Sequence, residues 1–223
     1  DLLDMINHVR DVSGLPVGFK SVIGAYGWID ELFDLINERG VESAPDFITV
    51  DSGDGGTGAA PMSLIDCVGL PIRESLPLVV DKITQHGLKG RIRVIASGKL
   101  ITPSEAAAAL CLGADFINSA RGFMFALGCI QALQCNKNTC PTGITTHDKK
   151  LQGGLVVADK AERVRRYSES MHKEIGVIAH SCGVREPRQL RRFHCRVVQD
   201  DGRSVPLDEL YPDAEPPRKA DAA

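Results

Sequence analysis

The chain has 223 residues, of which 43% are hydrophobic, and a formal net charge of -3. That apolar content excludes a disordered chain, and the near-neutral balance speaks against holding nucleic acid or a membrane surface by bulk charge. No apolar run approaches the roughly 20 residues that span a bilayer, no signal-peptide pattern opens the sequence, and the seven cysteines are an odd count, so reduced thiols and a cytoplasmic location are expected.

Residues 1–13 read as a helix, with Leu2, Leu3, Ile6, Val9 and Val12 near helical spacing and Gly14 as its stop. Pro16 to Ile23 reads as a strand. Ile29 to Arg39 is an amphipathic helix that Gly40 ends. Asp46 to Asp51 is a strand of buried type, rich in branched residues. A loop of small residues, Ser52 to Pro61, follows it. Helix at 73–86, strand at 91–96, helix at 103–112 and strand at 114–119 come next, with Thr102 as cap and Pro103 at the first helical position. Residues 122–134 are expected to be helical, as are 159–182 and a short piece at 186–193. Residues 212–223, rich in Pro, Ala and charge, are expected to be disordered.

The alternation of helix and strand predicts a parallel α/β arrangement, either doubly wound or a (β/α) barrel. Four good strands are legible where a barrel needs eight. The chain therefore reads as the second half of a barrel over residues 1–150, a helical extension over 151–211, and the tail.

Three cysteines, Cys129, Cys135 and Cys140, fall within one short segment, and Pro141 follows the last. Thiolates on one tight run ending in Cys-Pro suit an iron–sulfur cluster. Zinc prefers paired Cys-x2-4-Cys knuckles, which are missing, and His147 is the one histidine nearby. Inert or zinc-bound thiols stay open as alternatives. Three ligands suit a three-iron cluster, or a four-iron cluster with a ligand from elsewhere, for which Cys182 and Cys195 are weak candidates. Cys67 and Cys111 read as buried and inert.

The Ser52–Pro61 loop has four glycines within six positions, Gly53 to Gly58, at a strand's carboxyl end. Such a loop lets a ligand approach the backbone and offers main-chain N–H groups to anions. It is neither a Walker A loop nor a dinucleotide fingerprint. Ser97-Gly98-Lys99 and Ala120-Arg121-Gly122 end the last two strands, where barrels commonly hold phosphate. Lys20 sits in a strand expected to be buried on both faces, which is costly without a charged partner and marks it as a ligand contact. His147 and His180 are assigned no role.

Gly55-Gly56-Thr57-Gly58-Ala59-Ala60-Pro61, Gly69-Leu70-Pro71, Leu127-Gly128-Cys129, Cys135 and Asn138-Thr139-Cys140-Pro141-Thr142-Gly143 resemble the synthase domain of glutamate synthase, and more closely the short glutamate synthase-like FMN-binding proteins. The likeness spans about residues 1–195. It implies a (β/α)8 barrel with FMN at its carboxyl face and a three-iron cluster on Cys129, Cys135 and Cys140. It also implies reductive amination, in which 2-oxoglutarate condenses with ammonia and reduced FMN gives hydride to the imine. The external electron donor would be ferredoxin or an NAD(P)H-linked subunit. Carried over by position, Lys20 lies near flavin and substrate, and Ser52, Asp54, Gly55, Gly56, Thr57 and Gly58 line the flavin and oxo-acid. Ser97, Gly98, Lys99, Ala120, Arg121 and Gly122 match the flavin-phosphate loops.

Ala60-Pro61 stands where the family usually has Ser-Pro, and Met62-Ser63-Leu64 depart from its pattern. A related branch joins methylamine to glutamate, so the amine can differ. The amino-terminal half of the barrel and the amidotransferase domain are expected from elsewhere, as another part or subunit. The alternative is a non-catalytic electron-relay or assembly piece that needs that missing half.

Overall fold

The computed structural model describes residues 1–54, 63–64 and 68–217. Its centre is a parallel sheet of β1 (Gly18–Val22), β2 (Phe47–Asp51), β3 (Arg93–Ser97) and β4 (Phe116–Asn118), in the spatial order β1-β2-β3-β4. Helix α1 (Leu2–Ser13) precedes β1. Helices α2 (Gly27–Arg39), α3 (Ile72–Gln85) and α4 (Pro103–Cys111) form the crossovers, and α5 (Ala120–Leu127) follows β4.

Strand order decides between the two architectures left open by the alternation. A doubly wound sheet reverses its order at a switch point and covers both faces. Here the order runs on without reversal. Alternate strand residues Ile48, Val50, Val94 and Ala96, each at most 3% exposed, pack with Phe33, Ile36, Leu76, Val79 and Ile83 from the helices. Each of these Val, Leu, Ile and Phe side chains contributes about 1.5–3 kcal/mol by leaving water. The opposite alternates Lys20, Val22 and Phe116 are exposed. One covered face and one open face, with sequential parallel strands, is the arrangement of a partial (β/α) barrel contributing four βα units.

This corrects the expectation that β1 is buried on both faces. Lys20 occupies the open inner face, its side chain 58% exposed. The helix expected over 122–134 also ends early, at Leu127. Gly128 adopts a left-handed φ of 103° there, and its N–H returns to the carbonyls of Met124 and Phe125. The capping of α4 is as expected: Thr102 accepts from the Glu105 N–H, and the Glu105 carboxylate accepts from the Thr102 N–H at 2.9 Å.

Beyond the barrel units lie α6 (Lys149–Gln152), the long α7 (Val157–Ser181), an antiparallel hairpin of β5 (Arg196–Val198) and β6 (Ser204–Pro206), and α8 (Leu207–Leu210). Helix α7 packs on α4 and α5. The short helix expected at 186–193 is two 3-10 turns, Pro187–Gln189 and Arg192–His194. The hairpin was not anticipated from sequence, although Asp201-Gly202, with Gly202 at φ 81°, is a turn signal. Within the expected tail, residues 212–217 have no regular structure, and 218–223 lie outside the described residues. Among the described residues, no helix is long and apolar enough to cross a membrane.

At the amino-terminal end of the strands, Asp46 ties the sheet to α1. Its Oδ2 accepts from the Val17 N–H at 2.7 Å and from Arg10 Nε at 2.9 Å, and its Oδ1 accepts from Arg91 at 3.0 Å. Burial pushes this carboxyl up, but the Val17 N–H and the two guanidinium groups outweigh it and hold the group below its ordinary value. A depressed carboxylate stabilises above its unfolded value of about 3.9, and that contribution fades as pH falls through the lower folded value. Asp46→Asn is therefore expected to cost about 1–3 kcal/mol at pH 7 and progressively less in acid. Urea unfolding at a series of pH values checks this, and a cost independent of pH would refute it.

Candidate functional site at the carboxyl ends of the strands

The strand ends bring several expected residues together. Lys20 Nζ lies 2.9 Å from Asp51 Oδ2 across the β1–β2 pair. The register explains the meeting. Lys20 pairs with Thr49 and Val22 with Asp51, so Lys20, Thr49 and Asp51 share the inner face, and the long lysine reaches one step toward the carboxyl end. Asp51 was missed in the sequence reading. The signal was there, because Asp51 lies two residues beyond Thr49 on the same side of a strand whose other side is wholly apolar.

Ser52, 5% exposed, fixes the foot of the glycine loop. Its N–H donates to the Ser97 carbonyl at 3.0 Å, and its hydroxyl accepts from the Asp54 and Ile72 N–H groups at 3.1 Å each. The Gly53 N–H donates to the Leu70 carbonyl at 2.8 Å, so both feet of the loop stand side by side. Gly55, Gly56, Thr57 and Gly58 lie outside the described residues, as does Cys67.

Gly98, at φ 124°, passes against Ser52 so closely that a Cβ would land on the serine side chain. Lys99 follows in the left-handed region at φ 50°. The β3 loop therefore turns sharply beside the first turn of α5. That turn is Ala120, Arg121 and Gly122, and Ser119 before it makes no side-chain cap. Among the described residues, the N–H groups of Ala120, Arg121 and Gly122 have no acceptor. Unsatisfied N–H groups at a helix start, beside a tight glycine turn, fit a phosphate monoester such as that of FMN.

The cysteine segment behaves differently. Cys129 follows the Gly128 cap, Cys135 opens a 3-10 turn, and Cys140 lies against Thr142, its Sγ 3.3 Å from Oγ1. Burial pushes the Cys140 thiol up, but hydrogen bonds from Thr142 and from the Thr145 backbone outweigh it and hold it at about 6. A thiolate is the form that binds metal. Gln131, Leu133 and Asn138 are all left-handed, at φ 56°, 52° and 60°. For Gln131 and Leu133 that conformation costs about 1–2 kcal/mol each, so the loop is held in a shape its residues do not favour. Even so, no three His, Cys, Asp or Glu side chains converge as a metal site among the described residues. The donor chemistry suits an iron–sulfur cluster, but the side-chain arrangement does not. Cys182 and Cys195, the weak fourth-ligand candidates, pack against the main core with the buried Cys111.

Parallel βα units in sequential order, with an uncapped helix start and a paired lysine at the carboxyl ends of their strands, define a barrel-type α/β protein. Solved structures share the fold. A mutant flavocytochrome b2 with pyruvate bound aligns at a TM-score of 0.51 and 17% identity, over 85% of this chain and 36% of that one. A mandelate oxidase variant with 2-hydroxy-phenylacetamide aligns at 0.50 and 19%, over 85% of this chain and 42% of that one.

The sequence narrows the class. Residues 1–185 match the conserved region in glutamate synthase, and the chain belongs to that family. It is 44% identical over 210 residues to the glutamate synthase large subunit-like protein YerD of Bacillus subtilis (strain 168), covering 94% of this chain and 40% of that protein. It is 32% identical over 149 residues to the archaeal glutamate synthase (NADPH) of Methanocaldococcus jannaschii, covering 67% of this chain and 29% of that protein. The chain thus spans 40% or less of the length of these relatives.

Proposed function

We propose that this chain is the carboxyl-terminal part of the FMN barrel of a glutamate synthase-like oxidoreductase, which reductively aminates 2-oxoglutarate with ammonia or another amine. The observation that carries the reading is the meeting of the Lys20–Asp51 pair, the feet of the glycine loop and the uncapped first turn of α5 at one end of the sheet. FMN, when bound, supplies the hydride chemistry that no side chain can. Gly98, Lys99 and Ala120–Gly122 would hold its phosphate by backbone N–H groups. Ser52, Asp54 and the loop beyond would line the ring and the oxo-acid. Lys20 brings a cation to the open inner face, where it would balance the negative charge of a carboxylate or of a reduced ring. Asp51 restrains that cation without covering it.

The open inner face favours a role that needs further βα units, as the relatives' greater length also suggests. The chain by itself is expected to bind FMN weakly if at all, and stoichiometrically once those units are supplied. Flavin absorbance after gel filtration reads this. In the completed protein, Lys20→Met is expected to lower kcat/KM for the oxo-acid by about 10²-fold while the flavin stays bound. A completed protein that never takes up FMN would overturn the reading.

The spacing of Cys129, Cys135 and Cys140 supports an iron–sulfur cluster, whose formation must draw the three sulfurs together. The electrons that reduce FMN would come from ferredoxin or an NAD(P)H-linked subunit. Cys135→Ser is expected to abolish the iron content of the purified protein, and unchanged iron would refute the ligand assignment.

A further inference from the structure

Helix α7 lies outside the βα repeat, yet one of its side chains enters the phosphate corner. The Tyr167 hydroxyl donates to the Ile101 carbonyl in the β3 loop at 2.7 Å. It also lies 2.7 Å from the hydroxyl of Ser119, the residue that opens α5. The Ser119 hydroxyl also lies 2.5 Å from the Leu100 carbonyl, so its one proton serves either that carbonyl or the Tyr167 oxygen. The Tyr167 ring packs edge-on against Phe123, with centroids 5.1 Å apart at 84°. Gly122 is buried, and a Cβ there would collide with the Tyr167 hydroxyl and with Ser119. The lack of a side chain at Gly122 is thus explained by the entry of Tyr167. Three segments distant in sequence, 100–101, 119–122 and 167, meet on two hydroxyl groups.

We propose that Tyr167 is a positioning residue that locks the β3 loop to the first turn of α5, so that the two present their N–H groups as one anion cradle. The inference rests on the flavin-phosphate reading above and deepens it, by making the carboxyl-terminal helix a determinant of that subsite. The chemistry favours such a lock. Loops at strand ends lack ladder hydrogen bonds of their own, and neighbouring N–H groups bind a phosphate well only if their relative placement is fixed beforehand. Tyrosine suits the task because its ring is anchored by packing while its hydroxyl joins the Ile101 carbonyl to the Ser119 hydroxyl.

The test is Tyr167→Phe, which keeps the ring against Phe123 and removes only the bridge. Hydrogen exchange of segments 98–102 and 119–123 is followed by mass spectrometry, and FMN and riboflavin are titrated in parallel into the completed protein. Exchange in those two segments is expected to speed up, while the sheet strands keep their protection. FMN affinity is expected to fall about tenfold, while riboflavin, which lacks the phosphate, binds as before. Unchanged local exchange, or an undiminished preference for FMN over riboflavin, overturns the role of Tyr167. If the parent protein shows no preference for FMN over riboflavin, the phosphate reading itself fails. Accelerated exchange in the variant would then leave Tyr167 as a purely structural tie, which also overturns the proposal. General loss of protection would mean the fold was damaged, and Ser119→Ala, which removes the other hydroxyl, then decides. The same selective loss of FMN affinity supports the lock, and its absence refutes it.

Discussion

Arg192→Met is expected to destabilise the protein by about 3–5 kcal/mol, a shift of roughly 10²- to 10³-fold in the folding equilibrium. Arg192 is 2% exposed, an uncommon place for a guanidinium, and nearly all of its donors are used. Nη2 donates to Asp81 Oδ1 at 2.5 Å, and Nη1 donates to the carbonyls of Tyr211 and Pro212 at 2.8 and 2.7 Å. Nε lies 3.5 Å from Asp213. One side chain thus fastens the segment around 211–213 to α3 of the barrel. Methionine fills much of the volume but leaves the Asp81 carboxylate, only 24% exposed, and two carbonyls without the donors that Arg192 supplied. Leaving a buried charge unpaired is the costly event, more than losing the pair itself. Urea denaturation measures the loss. Asp81→Leu combined with Arg192→Met is expected to recover part of it, because the orphaned charge then disappears. A single-variant cost under about 1 kcal/mol would mean that solvent reaches these groups freely.

Gly98→Ala carries the second large effect. At φ 124° an L-residue is strained by about 1–3 kcal/mol. The added methyl would also meet Ser52, whose N and Cα lie 2.9 and 3.1 Å from its position and whose Cβ lies closer still. Ser52 cannot step aside cheaply. Its N–H closes the β2–β3 ladder on Ser97, and its hydroxyl holds two further N–H groups. A total cost of about 2–4 kcal/mol follows, with the β3 loop displaced from α5 and FMN affinity lost along with it. Gly90→Ala is the matched control. Gly90 also has positive φ, 95°, but nothing lies within 4 Å of its added Cβ. It should cost only the conformational strain. Equal losses for the two variants would show that the approach of Gly98 to Ser52 is unimportant.

Much of the fold was legible because its local rules are strong. Period-3.6 apolar spacing placed α1 to α4 within a residue or two. The capping of α4 followed from Thr102-Pro103-Ser104-Glu105, and branched runs marked β2 and β3. The misreadings have physical causes. Residues 128–134 carry apolar side chains compatible with a helix, yet Gly128 ends α5 in a left-handed turn and the cysteine loop takes over. The β5–β6 hairpin is too short and polar to show alternation. Lys20 looked misplaced in a buried strand only because both faces were assumed covered.

The sequence alone determined the alternation of parallel βα units, the position of the small-residue loops at strand ends and the cysteine spacing, because periodicity, turn chemistry and motif are written in neighbouring residues. Tertiary structure alone decided the unreversed strand order, the pairing of Lys20 with Asp51, the burial of Arg192 and the reach of Tyr167 into the β3 loop. Each of these depends on which distant segments pack together, and that is settled by the shared burial of apolar faces rather than by any local signal.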